Sequence, residues 1–189
     1  MKKEIRIIAW VDCSFTFRQK YVTAVGVVFR GAAFLDGLLS TKIAKDGMDG
    51  TVGIAKSVLN SRHYDQLSYI MLNGIPIAGF NVVDIKALNK KTRLPVIAVQ
   101  RRKPDMKEFM AALRKLNDCK KKLQAVKKAG KFFRFNFHGT EVLYQKAGAS
   151  NEECEELLRI TCIRGNIPEP LRVAHLIASG LSGESHGRA

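Results

Sequence analysis

The 189-residue sequence is short of acid: 17 Asp and Glu stand against 32 Lys and Arg, for a formal net charge of +15. That imbalance favours an anionic partner, nucleic acid first and an anionic membrane second. Cysteine is scarce too. The four thiols, Cys13, Cys119, Cys154 and Cys162, include no CxxC pair, which argues against a zinc site. No apolar run is long enough to span a bilayer, and no stretch ahead of the first apolar strand reads as a signal peptide. Free thiols in a reducing cytoplasm are therefore expected. There is no internal repeat and no low-complexity segment, so a solenoid or a disordered linker is not expected.

What remains is an ordinary globular balance, 46% hydrophobic and 26% charged, in a length that fits one domain over residues 1–189. The positive charge is local. Between Lys86 and Arg134 there are 17 basic and 3 acidic residues. One basic face is the expected result, although a charged, solvated surface of the thermophile kind produces a similar count. The basic stretch lacks a broad apolar side, so a membrane-surface role fits poorly.

The hydrophobic pattern predicts three leading strands, Ile5–Val11, Tyr21–Phe29 and Ala33–Ile43, joined by short turns as an antiparallel meander. The turn Asp46-Gly-Met-Asp-Gly-Thr51 follows, with Asp and Thr placed to cap a helix over Val52–Asn60. A buried strand at Leu67–Leu72, a helix at Ile85–Lys91 and a strand at Leu94–Val99 make a βαβ unit, which requires parallel pairing. Beyond it come helices from Pro104 to Leu116 and from Cys119 to Ala129. A hairpin of Phe132–Phe137 with Glu141–Gln145 across His138-Gly139 precedes helices at Asn151–Arg164 and Pro168–Leu181. Three strands followed by βαβ is the opening order of an α/β, RNase H-like mixed sheet flanked by helices.

Chemistry can be carried by few residues. Asp12 ends the first strand, where a carboxylate could hold a divalent cation; a turn Asp is the plainer reading. Asp46 and Asp49 head the first helix, where Asp commonly caps. Asn73 ends the strand that opens the βαβ unit and offers one amide oxygen. His175 shares a face of the last helix with Arg172 and Ser179. Arg101, Arg102 and Lys103 follow a strand end, where a cation can meet a phosphate. Lys120 and Lys121 lie in a basic helix next in sequence to the aromatic hairpin, a combination that suits single-stranded nucleic acid. The alternation of those aromatics puts most of them in the core.

These residues resemble, over essentially the full chain, the archaeal endonuclease dU family, a relative of endonuclease V. The segments that carry the likeness are Asp46–Thr51, Asn73-Gly74 with Gly79–Asp84, Leu94–Val99, Ile167-Pro-Glu-Pro-Leu-Arg-Val-Ala-His175 and the tail Gly183–Ala189. The Pro-Glu-Pro-x-Arg-x-Ala-His pattern is the most specific. The resemblance implies an RNase H-like fold and an Mg²⁺- or Mn²⁺-dependent endonuclease. Its substrate would be DNA near deaminated bases, deoxyuridine or deoxyinosine, single-stranded or lesion-bearing, with RNA as an alternative. It makes Asp12 a metal ligand, Asp46 or Asp49 the helix-borne acid, His175 the last-helix metal or water residue and Arg101 the phosphate contact. Asn73 stands where the family usually has an acid, which implies weaker metal binding and favours, as the alternative, a nucleic-acid-binding module with reduced catalysis. Asp12-Cys-Ser14 replaces the relatives' Asp-Asp-Gly, and no Tyr-Ile-Pro wedge is evident.

Overall fold

The computed structural model describes residues 4–137 and 139–183. Strands β1 (Arg6–Asp12), β2 (Tyr21–Arg30) and β3 (Phe34–Ala44) form the meander, and α1 (Gly50–Leu59) follows. Next come β4 (Tyr69–Asn73), the two-residue strands β5 (Pro76–Ile77) and β6 (Asn81–Val82), α2 (Ile85–Thr92) and β7 (Val96–Gln100). Helices α3 (Met106–Arg114) and α4 (Cys119–Ala129), the hairpin β8 (Phe133–Phe137) and β9 (Thr140–Ala147), then α5 (Asn151–Thr161) and α6 (Glu169–Leu181) complete the order.

Seven strands make one mixed sheet in the order β3-β2-β1-β4-β7-β9-β8. β1, β4 and β7 run parallel at its centre, while β2, β3 and β9 pair antiparallel. Both faces are covered, so β1 is buried along its whole middle rather than alternating. Ile8 and Trp10 pack with residues of α1 to α4, whereas Ile7, Ala9 and Val11 pack with those of α5 and α6. This is the expected RNase H-like arrangement, with helices on each side of the sheet.

Helix starts follow from local chemistry, with one correction. Asp84 caps α2 by accepting from Ala87 N at 2.9 Å, Asp105 caps α3 through Glu108 N at 2.9 Å, and Ser150 with Glu153 forms a capping box on α5. Asp49 occupies the N-cap position of α1 but makes no side-chain cap bond. Its carboxylate instead accepts from Ala44 N at 3.1 Å and from Asn81 Nδ2 at 2.7 Å. Thr51 does not cap either: its hydroxyl accepts from Asp84 N at 3.0 Å. The β5–β6 hairpin was not anticipated. The β8–β9 hairpin was, although its turn residue His138 lies outside the described residues.

Asp84 ties two helices together, since Lys128 of α4 donates to it at 2.8 Å. Burial works to raise its carboxyl, but the Lys128 ammonium and the Ala87 N–H outweigh that and hold it below the ordinary 3.8. Asp84→Ala is expected to cost about 1 kcal/mol, the size of a lost N-cap, read as a lower urea midpoint at unchanged slope. A folded-state pKa below the unfolded one means that this contribution is present above pH 3.8 and is lost as pH falls through the folded value.

Candidate functional site

The register brings the candidate residues to one end of the sheet. Trp10 pairs with Leu72 and Asn73 with Val99, so Asp12, Asn73 and Arg101 stand at or just past the C-terminal ends of three adjacent parallel strands. Tyr21 pairs with Ala44, which places the start of β2 and the Asp46 turn at the same end. Asp12 and Asn73 line one small cleft together with Trp10, Gly74 and Ile77. Asn73 is exposed and Asp12 half-buried.

The Asp12 carboxyl is set by competing effects. Burial is the largest and raises it from 3.8. Its own backbone N–H, the Ala78 N–H at 2.8 Å and the charge of His175 pull the other way without prevailing. The effect of His175 places the imidazole within electrostatic reach of Asp12. Packing explains it, because α6 lies across β1 and β2, with Leu171, Ala174 and Ala178 in the core.

Asp46 reaches the same place from the other side. Its Oδ1 accepts from Phe80 N at 2.8 Å, and its N–H donates to Ala78 O at 3.0 Å. Asp12 and Asp46 thus grip one three-residue segment, Ala78-Gly79-Phe80. Asp46 has φ +54° and Gly79 φ +82°. Asp tolerates the left-handed region, but at residue 79 a Cβ would strike Asp46 Oδ1, so only glycine fits. Asp49 is engaged differently, in a network with Ala44 and the buried Asn81, whose Oδ1 also accepts from Gly50 N at 3.1 Å. The structure therefore gives the two helix-head acids different surroundings, Asp46 beside the segment that Asp12 holds and Asp49 inside a structural network.

Sequence reasoning missed the residue that fixes this corner. Lys122 of α4 is fully buried, and its ammonium donates to Asp46 O at 2.7 Å, Phe80 O at 3.1 Å and Gly47 O. Burial lowers its pKa from 10.5 against the opposing charges of Asp46, Asp118 and Asp49. A lysine run reads as uniformly solvated, and only the 3.6-residue period separates Lys122, on the same face as Ala125, Val126 and Ala129, from its neighbours.

The remaining cations lie on the surface. Arg101, Arg102 and Lys103 are exposed in the loop after β7. Lys120 and Lys121 are exposed on α4, with Lys121 3.4 Å from Asp118. Arg172 makes a two-pronged bond with Glu169 at 2.7 and 2.6 Å, which fixes its guanidinium on its own helix. At the opposite end of β7, Lys86, Lys128, Lys131 and Lys146 surround a groove containing Phe133, with the Lys131 and Lys146 ammonium groups over the ring at 5.2 and 5.3 Å.

As a metal-binding set, Asp12, the Asn73 amide oxygen and a nearby imidazole suit a hydrated hard cation, which takes one or two carboxylates plus waters and substrate phosphate. A cation there would offset the part of the Asp12 burial that its hydrogen bonds and His175 do not. Among the described residues, no three His, Cys, Asp or Glu side chains gather closely enough to hold a metal by themselves. No helix among them is long and apolar enough to cross a membrane.

Comparison with known proteins agrees with this architecture. The sequence model of a family described as Endonuclease dU matches residues 3–182. A UPF0215 protein of Methanosarcina acetivorans is 47% identical, over 100% of this chain and 97% of its own length. A crystal structure of a protein of unknown function from Archaeoglobus fulgidus superposes with a TM-score of 0.87 at 37% identity, covering 97% of this chain and 99% of that one. Ciona intestinalis endonuclease V, solved with a 24mer DNA containing an inosine, shares the fold at a TM-score of 0.58 and 11% identity, covering 90% and 82%.

Proposed function

Because the chain belongs to the endonuclease dU family, we propose that it is a divalent-metal-dependent endodeoxyribonuclease. It hydrolyses phosphodiester bonds near deaminated bases, deoxyuridine first and deoxyinosine second, in DNA repair. The observation that carries the reading is the meeting of Asp12 and Asn73 at the ends of adjacent parallel strands, with His175 in electrostatic reach of Asp12. Asp12, Asn73 and His175 would hold Mg²⁺ or Mn²⁺, with Asp46 or Asp49 as the second acid; the bonding pattern favours Asp46. When bound, the ion supplies charge neutralisation at the phosphate and orientation of a water.

The protein's own residues do the rest. His175 either holds the ion or, left off it, takes the proton of the attacking water as the new oxygen–phosphorus bond forms; the bond to the leaving sugar oxygen breaks and that oxygen takes a proton from solvent. Arg101 offers charge to the phosphate at the end of β7, in place of a point-like ammonium. Arg102 and Lys103 of the same loop, with the exposed Lys120 and Lys121 of α4, would offer further cations to the strand's phosphates, whereas Arg172 sits on the other face of the sheet and is already paired with Glu169. The test is end-labelled single strands carrying one deoxyuridine, one deoxyinosine or only normal bases, incubated with Mg²⁺ or Mn²⁺. Nicking confined to lesion strands and to metal-containing reactions is expected. Equal nicking of the normal strand, or none of any strand, contradicts the reading.

One observation favours a second reading, a binding module on the same fold. Asn73 supplies no charge where the family usually places an acid. Asn73→Asp is expected to raise metal-dependent nicking by at least ~10-fold, the lower end of what tuning a metal site achieves. Under the binding-module reading, wild type binds strands with steep salt dependence but does not turn over. Unchanged nicking in Asn73→Asp would show that the amide does not limit the reaction.

A further inference from the structure

The basic groove around Phe133 takes no part in the chemistry above. It measures about 480 Å³ and lies between the first turn of α2, the end of α4, the start of β8 and the turn from β9 to α5. Val96 pairs with Ala147 at this end of the sheet, and β7 runs from there to Gln100 at the reaction centre. At ~3.3 Å per residue, β7 alone puts ~13 Å between the two places.

The walls of the groove are tied to one another. Gln145 Nε2 donates to Gly130 O at 2.8 Å, and Asn89 Nδ2 donates to Leu94 O at 2.8 Å. Gly148 has φ +77°, and a Cβ there would strike the Asn89 amide, so glycine lets α2 approach the end of β9. The cations are held as well. Lys128 is 2.8 Å from Asp84, and Lys146 Nζ donates to Ala149 O at 2.7 Å. The Lys131 and Lys146 ammonium groups lie over the Phe133 ring, on which Tyr144 stacks at 5.4 Å. The ring therefore positions two cations and is not offered to a base. Asp84 offsets one charge, and Glu152 lies within electrostatic reach of Lys146. The ammonium groups of Lys86, Lys128, Lys131 and Lys146 still leave a positive excess. Fixed point cations without a free stacking surface suit phosphates rather than bases.

The source of those phosphates follows from α4. Lys122 seats this helix against the Asp46 turn, and Lys128, less than two turns on, borders the groove. Lys120 and Lys121 are exposed near one end of the helix, Lys127 and Lys128 near the other. Lysines thus lead from the reaction centre to the groove, within the stretch of 17 basic and 3 acidic residues. We infer that the groove binds the phosphodiester backbone of the substrate strand, away from the phosphate at Asp12 and without regard to base. The inference rests on the nuclease reading and adds a second anchoring point for the same strand.

The test measures equilibrium binding of the full chain, in chelator, to labelled single strands with and without one deoxyuridine, over a range of salt concentrations. Lys86→Gln/Lys131→Gln removes two exposed groove cations and leaves no buried gap. Its plot of log affinity against log salt should be shallower than that of wild type by ~1.4, two phosphate contacts at ~0.7 each. The change should be the same for both strands. Lys42→Gln/Lys56→Gln removes two exposed cations from β3 and α1, at the other edge of the sheet, and should keep the wild-type slope. An unchanged slope in the groove variant, or an equal loss in the control, overturns the inference. Binding is read without cleavage, so the two readings fail separately. Nicking by wild type in added metal, with an unchanged slope in the groove variant, removes the groove alone. A groove-dependent slope without nicking removes the nuclease alone.

Discussion

Replacing Lys122 by Met is expected to lower the unfolding free energy by about 3 kcal/mol, because a buried, charged hydrogen-bond donor is removed from several acceptors. The side-chain volume is nearly kept, so the loss reports on hydrogen bonds rather than on a cavity. Three carbonyls, those of Asp46, Gly47 and Phe80, converge on the ammonium inside a sealed corner. Met leaves all three without that donor. Lys122→Arg is no rescue, since a planar fork does not replace a single nitrogen at the meeting point of three oxygens. The measurement is the urea midpoint at unchanged slope. Nicking should fall as well, because the same carbonyls belong to the Asp46 turn and to the segment held by Asp12. A loss below about 1 kcal/mol, within the range of one ordinary hydrogen bond, would contradict this account. There is also a pH signature. Burial lowers the Lys122 pKa below 10.5, so between the folded and unfolded values the unfolded chain binds more protons and stability rises with pH. The Met variant lacks that rise.

Asp12→Asn should separate stability from activity. The variant keeps the shape of the side chain and an acceptor for the Ala78 N–H. It is expected to reduce nicking by about 10²–10³-fold, the cost of removing one electrostatic group from a reaction centre. In chelator it should nevertheless be more stable than wild type at neutral pH. The sign follows from the raised pKa of Asp12, whose largest cause is burial. The folded chain holds the proton more tightly than the unfolded one, so the contribution is fully present below pH 3.8 and is lost as pH rises through the folded value. The neutral amide does not suffer that loss. Thermal unfolding at several pH values checks it: the two proteins should converge in acid and diverge toward neutrality. A variant less stable than wild type at neutral pH would mean that the charge of Asp12 is already compensated within the chain.

The central part of this fold was legible because its signals are long. β1 and β2 are mostly apolar strands of 7 and 10 residues, β3 is a more polar strand of 11 that pairs with β2, and the βαβ unit follows from period and spacing alone. The β5–β6 hairpin was not legible, since two-residue strands carry no period. At the site, the resemblance to a known family identified Asp12, Asn73 and His175, and the strand register accounts for the first two sharing a cleft. Proximity of His175 to Asp12 depends on how α6 crosses β1, which sequence spacing does not encode. Asp46 and Asp49 looked equivalent as helix-head acids. What distinguishes them is a tertiary partner for each, Phe80 N for one and Asn81 for the other. Lys122 was hidden for the same reason: its acceptors lie 42 to 76 residues away in sequence.

The claim that the ends of β1 and β4 form a metal-holding reaction centre is tested most directly by Mn²⁺ titration of the metal-free protein, with free ion read by electron paramagnetic resonance. Wild type should bind weakly, Asn73→Asp at least ~10-fold tighter, and Asp12→Asn not detectably. Equal Mn²⁺ binding by wild type and Asp12→Asn would place the metal elsewhere and contradict the account.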